Sequence, residues 1–183
     1  MGERASSDDP LAETVVACQQ GDRSAQRQLY EHCWQRVYRL TLRMVGEQDA
    51  ADVTQQAFLQ AFRSIGKYNG SARFQTWLYR VAVNESLQYL RRRRRWRAQP
   101  LAGEPQDKSH PLREQAEQKD LLEQAMARLD PQLRALFLLR EVEGMPYREI
   151  AEAMQIPEGT VGSRLNLARR QLQMHLKDLG WEP

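Results

Sequence analysis

The sequence predicts an all-α protein of two small helical domains joined by a flexible linker. Three observations carry that expectation. Apolar residues recur at steps of three and four through two long zones. No stretch shows the sustained alternation of a half-buried strand. Between the zones lies a polar, proline-bearing stretch in which the periodicity is lost. The chain has 183 residues, which suits one large domain or two small ones. Leu, Val, Ile and Phe are spread along its length, so it can bury real cores.

Residues 1–10 are polar and acidic and are expected to be disordered. They hold no apolar core of a signal peptide. No apolar run approaches the ~18 residues that span a bilayer, so the expectation is a cytoplasmic protein with no membrane insertion. The first domain is expected over 11–95. Leu29, Cys33, Val37, Leu40 and Met44 form one stripe, with Asp22 and Ser24 as candidate N-caps. Gly46 and Asp49 punctuate the gap to a second stripe of Val53, Ala57, Phe58, Ala61, Phe62 and Ile65. The run Lys67-Tyr68-Asn69-Gly70-Ser71 reads as a loop, because Asn-Gly is a turn signal. Phe74, Trp77, Leu78, Val81 and Ala82 begin a third stripe.

Residues 96–118 carry Pro100, Gly103, Pro105 and Pro111 and read as the linker. The second domain is expected over 119–183. Leu121, Leu122, Ala125, Met126 and Leu129 mark its first helix. Asp130-Pro131 is a cap followed by a first-turn proline, and Leu133, Leu136, Phe137, Arg140 and Val142 lead to a stop at Gly144.

Tyr147–Met154 then reads as a short helix, broken at Gln155-Ile156-Pro157. Glu158 suits the first turn of the next helix, whose buried stripe is Val161, Leu165, Ala168 and Leu172. Its opposite stripe is Gly159, Ser163, Asn166 and Arg170, flanked by Thr160, Arg164 and Leu167. Small, hydrogen-bonding and cationic groups on one helix face are what a recognition helix brings to a major groove. Residues 147–170 are therefore read as a helix-turn-helix. The alternative is an ordinary amphipathic surface helix.

The net charge of +3 hides a local run, Arg91 to Arg95, followed by Trp96 and Arg97. Such a run is either a nucleic-acid or acidic-surface contact or a solvated helix end. The two cysteines, Cys18 and Cys33, suit neither a disulfide framework nor a zinc site, and read as small apolar residues in a reducing compartment. No serine or tyrosine is ringed by basic partners, and there is no metal-ligand spacing or phosphate-binding glycine loop. Neither catalysis nor a cofactor is expected. A free-standing DNA-binding regulator and a DNA-targeted enzyme such as a recombinase are the competing classes.

Three motifs resemble those of the extracytoplasmic-function (ECF) sigma factors of the sigma-seventy family. They are Asp49-Ala50-Ala51-Asp52-Val53-Thr54-Gln55-Gln56-Ala57-Phe58-Leu59, Phe74-Gln75-Thr76-Trp77-Leu78-Tyr79-Arg80-Val81-Ala82-Val83-Asn84, and Tyr147-Arg148-Glu149-Ile150-Ala151 with Pro157-Glu158-Gly159-Thr160-Val161. The resemblance implies sigma domain two over 11–95 and sigma domain four over 119–183. It implies a non-catalytic subunit that binds core RNA polymerase, directs it to specific promoters and promotes DNA opening for transcription initiation. An anti-sigma factor is an implied partner.

The helix Asp52 to Ile65 is implied to dock on the polymerase clamp coiled coil, with Asp52, Gln55, Gln56, Phe58, Leu59, Gln60 and Ile65 as contacts. The loop Lys67 to Ala72 and the helix Phe74 to Leu90 are implied to handle the minus-ten element. Tyr68, Asn69, Ser71, Arg80 and Asn84 are the contacts there, with Arg91, Arg92 and Arg93 on phosphates. Capturing a flipped base offsets an unstacking cost of a few kcal/mol, and the Asn84 amide can both donate to and accept from a base edge. Tyr68 equally suits a core-edge aromatic, and Trp77 reads as core.

At the minus-thirty-five element Gly162, Ser163, Asn166 and Leu167 are implied to face bases, with Arg164, Arg169 and Arg170 on the backbone and Thr160 as a further DNA contact. Positions 162 and 167 are often basic in relatives and here are Gly and Leu. Either Leu167 touches a thymine methyl or readout depends on duplex shape. Pro146 stands in place of a usual serine cap, and Gln155 in place of a usual turn glycine.

Overall fold

The computed structural model describes residues 9–97 and 114–181. The expected disorder of residues 1–8 and the central part of the expected linker lie outside the described residues. Among those described there is no strand. Eight α-helices follow one another, four in each of two units.

In the first unit, α1 (Ala12–Gln19) precedes α2 (Arg23–Val45), whose N-terminus is capped by Asp22. The Asp22 carboxylate accepts from the amides of Ser24 and Ala25 at 2.7 and 3.2 Å, satisfying two orphan donors. A single residue, Gly46, is both the C-cap of α2 and the N-cap of α3 (Glu47–Ser64). Its φ of 92° and ψ of 166° lie where side-chain-bearing residues are strained, so this abrupt reversal needs glycine. Asp49, expected in the gap, sits in the first turn of α3, where its charge suits the helix dipole. A 3-10 turn, Ile65–Lys67, leads into the loop before α4 (Phe74–Arg97).

Most of each stripe read from the sequence is buried, while Leu122 and Val142 of the second unit are exposed. Leu29, Cys33, Val37, Leu40 and Met44 are buried on α2, Val53, Ala57, Phe58 and Ala61 on α3, and Phe74, Leu78 and Ala82 on α4. Two buried threonines join α2 to α3: the hydroxyls of Thr41 and Thr54 lie 2.5 Å apart, and Thr54 also reaches Ala50 O at 2.7 Å. Each buried hydroxyl is thus satisfied.

The second unit comprises α5 (Glu114–Arg128), α6 (Pro131–Glu141), α7 (Tyr147–Met154) and α8 (Glu158–Asp178). Helix α5 begins inside the stretch that reads as linker, and α4 runs into it from the other side. Pro131 is the first residue of α6, and the Asp130 carboxylate accepts from Gln132 N at 2.9 Å. Helix α6 ends at Glu141, and Gly144 turns the chain with φ 67°.

The two units are packed together. Their buried apolar residues form one continuous cluster, with α4 against α7 and α2 against α6. At the seam lies Arg134, 7% exposed. Its Nη1 donates to Met44 O, in the last turn of α2, at 2.8 Å. Its Nη2 donates to Ala127 O and Leu129 O at the end of α5. One guanidinium therefore serves the carbonyls of two helix C-termini, where the dipole favours a cation. Burial pulls its pKa down while Asp130 pulls it up. Arginine nonetheless stays charged, and Nε has no partner among the described residues.

If this guanidinium holds the seam, Arg134→Ala should loosen it. The radius of gyration from solution scattering should rise while helicity by circular dichroism stays largely intact. Unchanged scattering would assign the packing to the apolar contacts alone.

Candidate nucleic-acid and partner interfaces

Helix α3 has two faces. Asp52, Gln55, Gln56, Leu59 and Gln60 are exposed, at the three-and-four spacing of one helical side. Leu59, 42% exposed, is the apolar centre of an otherwise polar strip. Phe58 and Ile65, expected among the partner contacts, point the other way: both are buried, at 4% and 5%. They shape the strip from beneath and offer no surface to a partner. Phe58 packs on the rings of Tyr30 and Trp34, at centroid distances of 4.8 and 6.3 Å. The stripe that contains Phe58 and Ile65 had already marked them as core.

Beside this strip lies an open cleft of about 450 Å³. Its walls are the loop 67–72 and one side of α4. The structure brings Tyr68, Asn69, Ser71, Arg80 and Asn84 together around it. Gln88, one turn beyond Asn84, and Trp77 line it as well. Neither was expected there. Gln88 continues the step of four from Arg80 through Asn84, which was the available signal. Trp77, read as core, is only half-buried and forms the apolar wall.

Tyr68 is a core-edge aromatic. Its ring lies 5.6 Å from those of Phe74 and Trp77, and its hydroxyl donates to Ala72 O at 2.7 Å. That hydroxyl is committed to the loop, which leaves the ring face as its contribution to the cleft. Burial, with Asp9 nearby, pushes its pKa up. Asn69 accepts from Ser71 N at 3.1 Å, an Asx turn that fixes the loop tip.

The arginine run extends α4 away from the cleft. Arg91, Arg92, Arg94 and Arg95 are exposed. Arg93 is not equivalent to them: it folds back onto Asp49 at 3.3 Å, and Nη1 also reaches Val45 O at 3.5 Å. That pair ties α4 to the start of α3, so Arg93 is the least available of the three arginines expected to meet phosphate.

In the helix-turn-helix, Ile150, Val161, Leu165 and Ala168 are fully buried between the two helices and α6. Gly159, Ser163, Asn166 and Arg170 are exposed, as the helical-face count requires. Leu167 is 38% exposed beside them. Thr160 and Arg164 are half-buried on the flanks. Ser163, Asn166, Arg169 and Arg170 surround a shallow recess. Gly162 is half-buried, and a Cβ there would come within 3.6 Å of the Tyr147 ring of α7. Arg169 is held by Glu141 at 2.6 Å, and would have to leave that carboxylate to reach a phosphate. Pro157 is the N-cap of α8 and lies just outside its first turn.

The second unit also covers part of the cleft. Glu152 and Ala153 of α7 line it opposite Arg80 and Asn84. Thr76 at the start of α4 donates to Glu149 of α7 at 2.7 Å. The Tyr79 phenol donates to Glu143, in the turn between α6 and α7. Burial drives the Tyr79 pKa well up and the bond to Glu143 adds to it, so the proton stays on the phenol. Gln75 extends this network, donating to Tyr79 at 3.0 Å and accepting from Arg36 at 3.1 Å. Three carboxylates of the second unit thus face the polar side of α4.

Neither cysteine has the surroundings of an activated nucleophile. Cys18 and Cys33 are buried and unpaired. Burial pushes the Cys33 thiol up to about 11, the direction opposite to that of a reactive cysteine. Among the described residues no group of side chains is arranged to hold a metal ion, and no helix is long and apolar enough to cross a membrane.

The chain is similar to known proteins over most of its length. The family described as "Sigma-70 region 2" matches residues 29–96, and "Sigma-70, region 4" matches 119–172. The ECF RNA polymerase sigma-E factor of Haemophilus influenzae is 36% identical, covering 94% of this chain and 97% of that protein. The RNA polymerase sigma-H factor of Pseudomonas aeruginosa is also 36% identical, at 94% and 95% coverage. The sigma-E factor of Escherichia coli is 34% identical, at 94% and 96%. Among solved structures, CnrH in complex with the cytosolic domain of CnrY has a TM-score of 0.69 at 20% identity, covering 91% of this chain and 96% of that one. The sigma factor RpoE of Bartonella quintana, in complex with the anti-sigma factor NepR, gives 0.68 at 20%, covering 82% and 96%. At that identity these two likenesses concern the fold.

The turn of the helix-turn-helix contains a strained residue. Gln155 adopts φ 54° and ψ 46°, the left-handed region, and is the only non-glycine residue with positive φ among those described. A side chain there costs about 1 kcal/mol. Gln155→Gly should therefore stabilise the second unit by about 1 kcal/mol, less the extra chain entropy of glycine, read as a higher denaturant midpoint at unchanged slope. A lower midpoint would mean that the Gln155 side chain makes compensating contacts.

Proposed function

We propose that this chain, which belongs to the ECF sigma factors of the sigma-70 family, binds core RNA polymerase, directs it to specific promoters and promotes opening of the duplex for initiation. The observation that carries this reading is the cleft beside the loop 67–72. Asn84, Arg80 and Gln88 offer hydrogen bonds, while Trp77 and the Tyr68 ring offer apolar faces. A captured unstacked base needs both: edge recognition and a surface on which to stack. The exposed arginines farther along α4 supply the phosphate contacts that fix the strand.

The outward strip of α3, Asp52, Gln55, Gln56, Leu59 and Gln60, is the surface for core polymerase. Helix α8 reads the minus-thirty-five element through Ser163, Asn166 and Leu167, with Thr160 at its N-terminal end. Arg164, Arg169 and Arg170 serve the backbone. Leu167 offers a methyl contact and no hydrogen bond, so part of the readout falls to duplex shape. In this role the chain performs no catalysis of its own, and its place of action is the cytoplasm.

This function requires the two units to part. Elements named for minus ten and minus thirty-five lie about 25 base pairs apart, roughly 85 Å at 3.4 Å per base pair. A compact chain of this length is only about 40 Å across. The packed form, with Glu143, Glu149 and Glu152 against α4, also places negative charge where phosphates must come. The packed form is therefore the resting state, and polymerase and DNA engage a separated one. The likeness to RpoE in complex with the anti-sigma factor NepR supports an anti-sigma protein as a partner.

Two measurements test the reading. Reconstituted with core polymerase, the protein should give promoter-specific run-off transcripts from fragments selected out of genomic DNA. Tight sequence-specific duplex binding by the protein alone, with no affinity for core enzyme, would favour a free-standing regulator. The salt dependence of holoenzyme binding to such a fragment probes the arginine run. Arg91→Ala and Arg92→Ala should each flatten the log–log slope by roughly 0.7 to 0.9, the value for one lost phosphate contact. Arg93→Ala should change it less, because Asp49 already holds that guanidinium. Equal slopes in all three variants and the parent would return the run to an idle surface.

A further inference from the structure

The loop that carries Tyr68, Asn69 and Ser71 is pinned at both ends by residues from the start of the chain. Gln19, the last residue of α1, spends both amide hydrogens there: Nε2 donates to Ile65 O at 3.0 Å and to Tyr68 O at 2.8 Å. These are the carbonyls at the entry to the loop, across the 3-10 turn Ile65–Lys67. At the exit, Asp9 accepts from Phe74 N, the first amide of α4, at 2.8 Å. Its second oxygen accepts from Leu11 N at 3.0 Å, which orients the carboxylate. Asp9 is thus an N-cap supplied from a distant part of the chain, with a negative charge where the helix dipole favours one.

Both residues lie ahead of the segment that the region 2 family model matches, which begins at Leu29. Helix α1 itself buries Val15 and Cys18. Gln19 itself is exposed. Its two bonds join α1 to the 3-10 turn and the start of the loop.

We propose that Gln19 and Asp9 are positioning residues for promoter opening, holding the loop 65–73 in the shape that receives an unstacked base. The proposal rests on the reading of the cleft given above. A loop held before DNA arrives does not lose its freedom on binding, so more of the contact energy appears as affinity. The Tyr68–Ala72 and Asn69–Ser71 bonds shape the middle of the loop. Gln19 and Asp9 set where that shape sits relative to Asn84 and Trp77. Helix α1 thereby acts as a brace for the single-strand contact without touching DNA.

The test uses the full chain assembled with core polymerase and a fragment from the run-off selection. Two probes are compared: the intact duplex, and the same fragment carrying a pre-opened mismatch bubble at the minus-ten element. A single-stranded oligonucleotide of the non-template sequence is the competitor, and opening is followed by permanganate reactivity of thymines. Gln19→Leu and Gln19→Glu, which cannot donate, and Asp9→Ala should each weaken the oligonucleotide as competitor by about five- to tenfold. They should slow opening of the intact duplex more than binding of the bubble. Asp9→Asn keeps an acceptor and should restore most of the Asp9→Ala loss. Circular dichroism checks folding, and Gln19→Glu, matched in size, stands in if Gln19→Leu disturbs α1.

Asn84→Ala is the control for the cleft. If it also leaves the competitor unaffected, the cleft reading fails and takes this proposal with it. If Asn84→Ala weakens the competitor and all the Gln19 and Asp9 variants match the parent, the cleft stands and the brace is overturned. A loss at Asp9→Ala that Asp9→Asn does not restore would overturn the cap.

Discussion

Helix α4 is the member to which the rest of the molecule is fitted. One face is buried against α2 and α3 through Leu78, Ala82, Val83 and Leu87. Its first turns are hydrogen-bonded to the second unit through Thr76 and Tyr79. Its N-terminus is capped by Asp9, and Arg93 in its last turns is tied to Asp49. A helix of this length cannot serve so many neighbours unless its faces are segregated. The period of 3.6 residues does this, giving the core one side and the cleft another, with the second unit packed along the cleft's edge. Moving α4 would disturb the core, the seam and the cleft together.

The seam between the units is strong locally and conditional as a whole. Burying Arg134 without a carboxylate is costly, and the cost is offset only while the carbonyls of Met44, Ala127 and Leu129 surround it. The other bonds across the seam pair carboxylates with neutral hydroxyls. Each such bond contributes on the order of 1–3 kcal/mol net, within reach of a competing partner. A seam of this kind suits the cycle proposed above, compact alone and extended at work. Polymerase and DNA can shift the balance by binding the open form better, and a partner that prefers the packed form shifts it back.

Much of the site was legible in the sequence, for a reason that also sets the limit of that reading. Resemblance named Asn84 and Arg80, and both line the cleft because they share one face of α4, away from its buried stripe. Phe58 and Ile65 show the converse. Resemblance placed them on a partner surface, while their own spacing placed them in the core, and burial agrees with the spacing. Gly162 lies under Tyr147 because the angle between α7 and α8 decides which positions of α8 are covered. That angle is a property of packing, and no single-helix count contains it.

The sequence by itself located seven of the eight described helices, missing α1, together with most of their breaks, the caps at Asp22 and Asp130 and the faces that α2, α3, α4 and α8 bury. These are local matters, set by side-chain period and by residues such as Asp22, Gly46 and Asp130 acting on their immediate neighbours. Tertiary structure alone decided that the two units pack as one, that Arg134 and the Glu149–Thr76 bond hold them, and that Asp9 and Gln19 brace a loop far along the chain. Those contacts join residues tens of positions apart. Their partners are backbone carbonyls, amides and neutral hydroxyls, which carry no pattern in sequence. Only the folded chain brings them within hydrogen-bond distance.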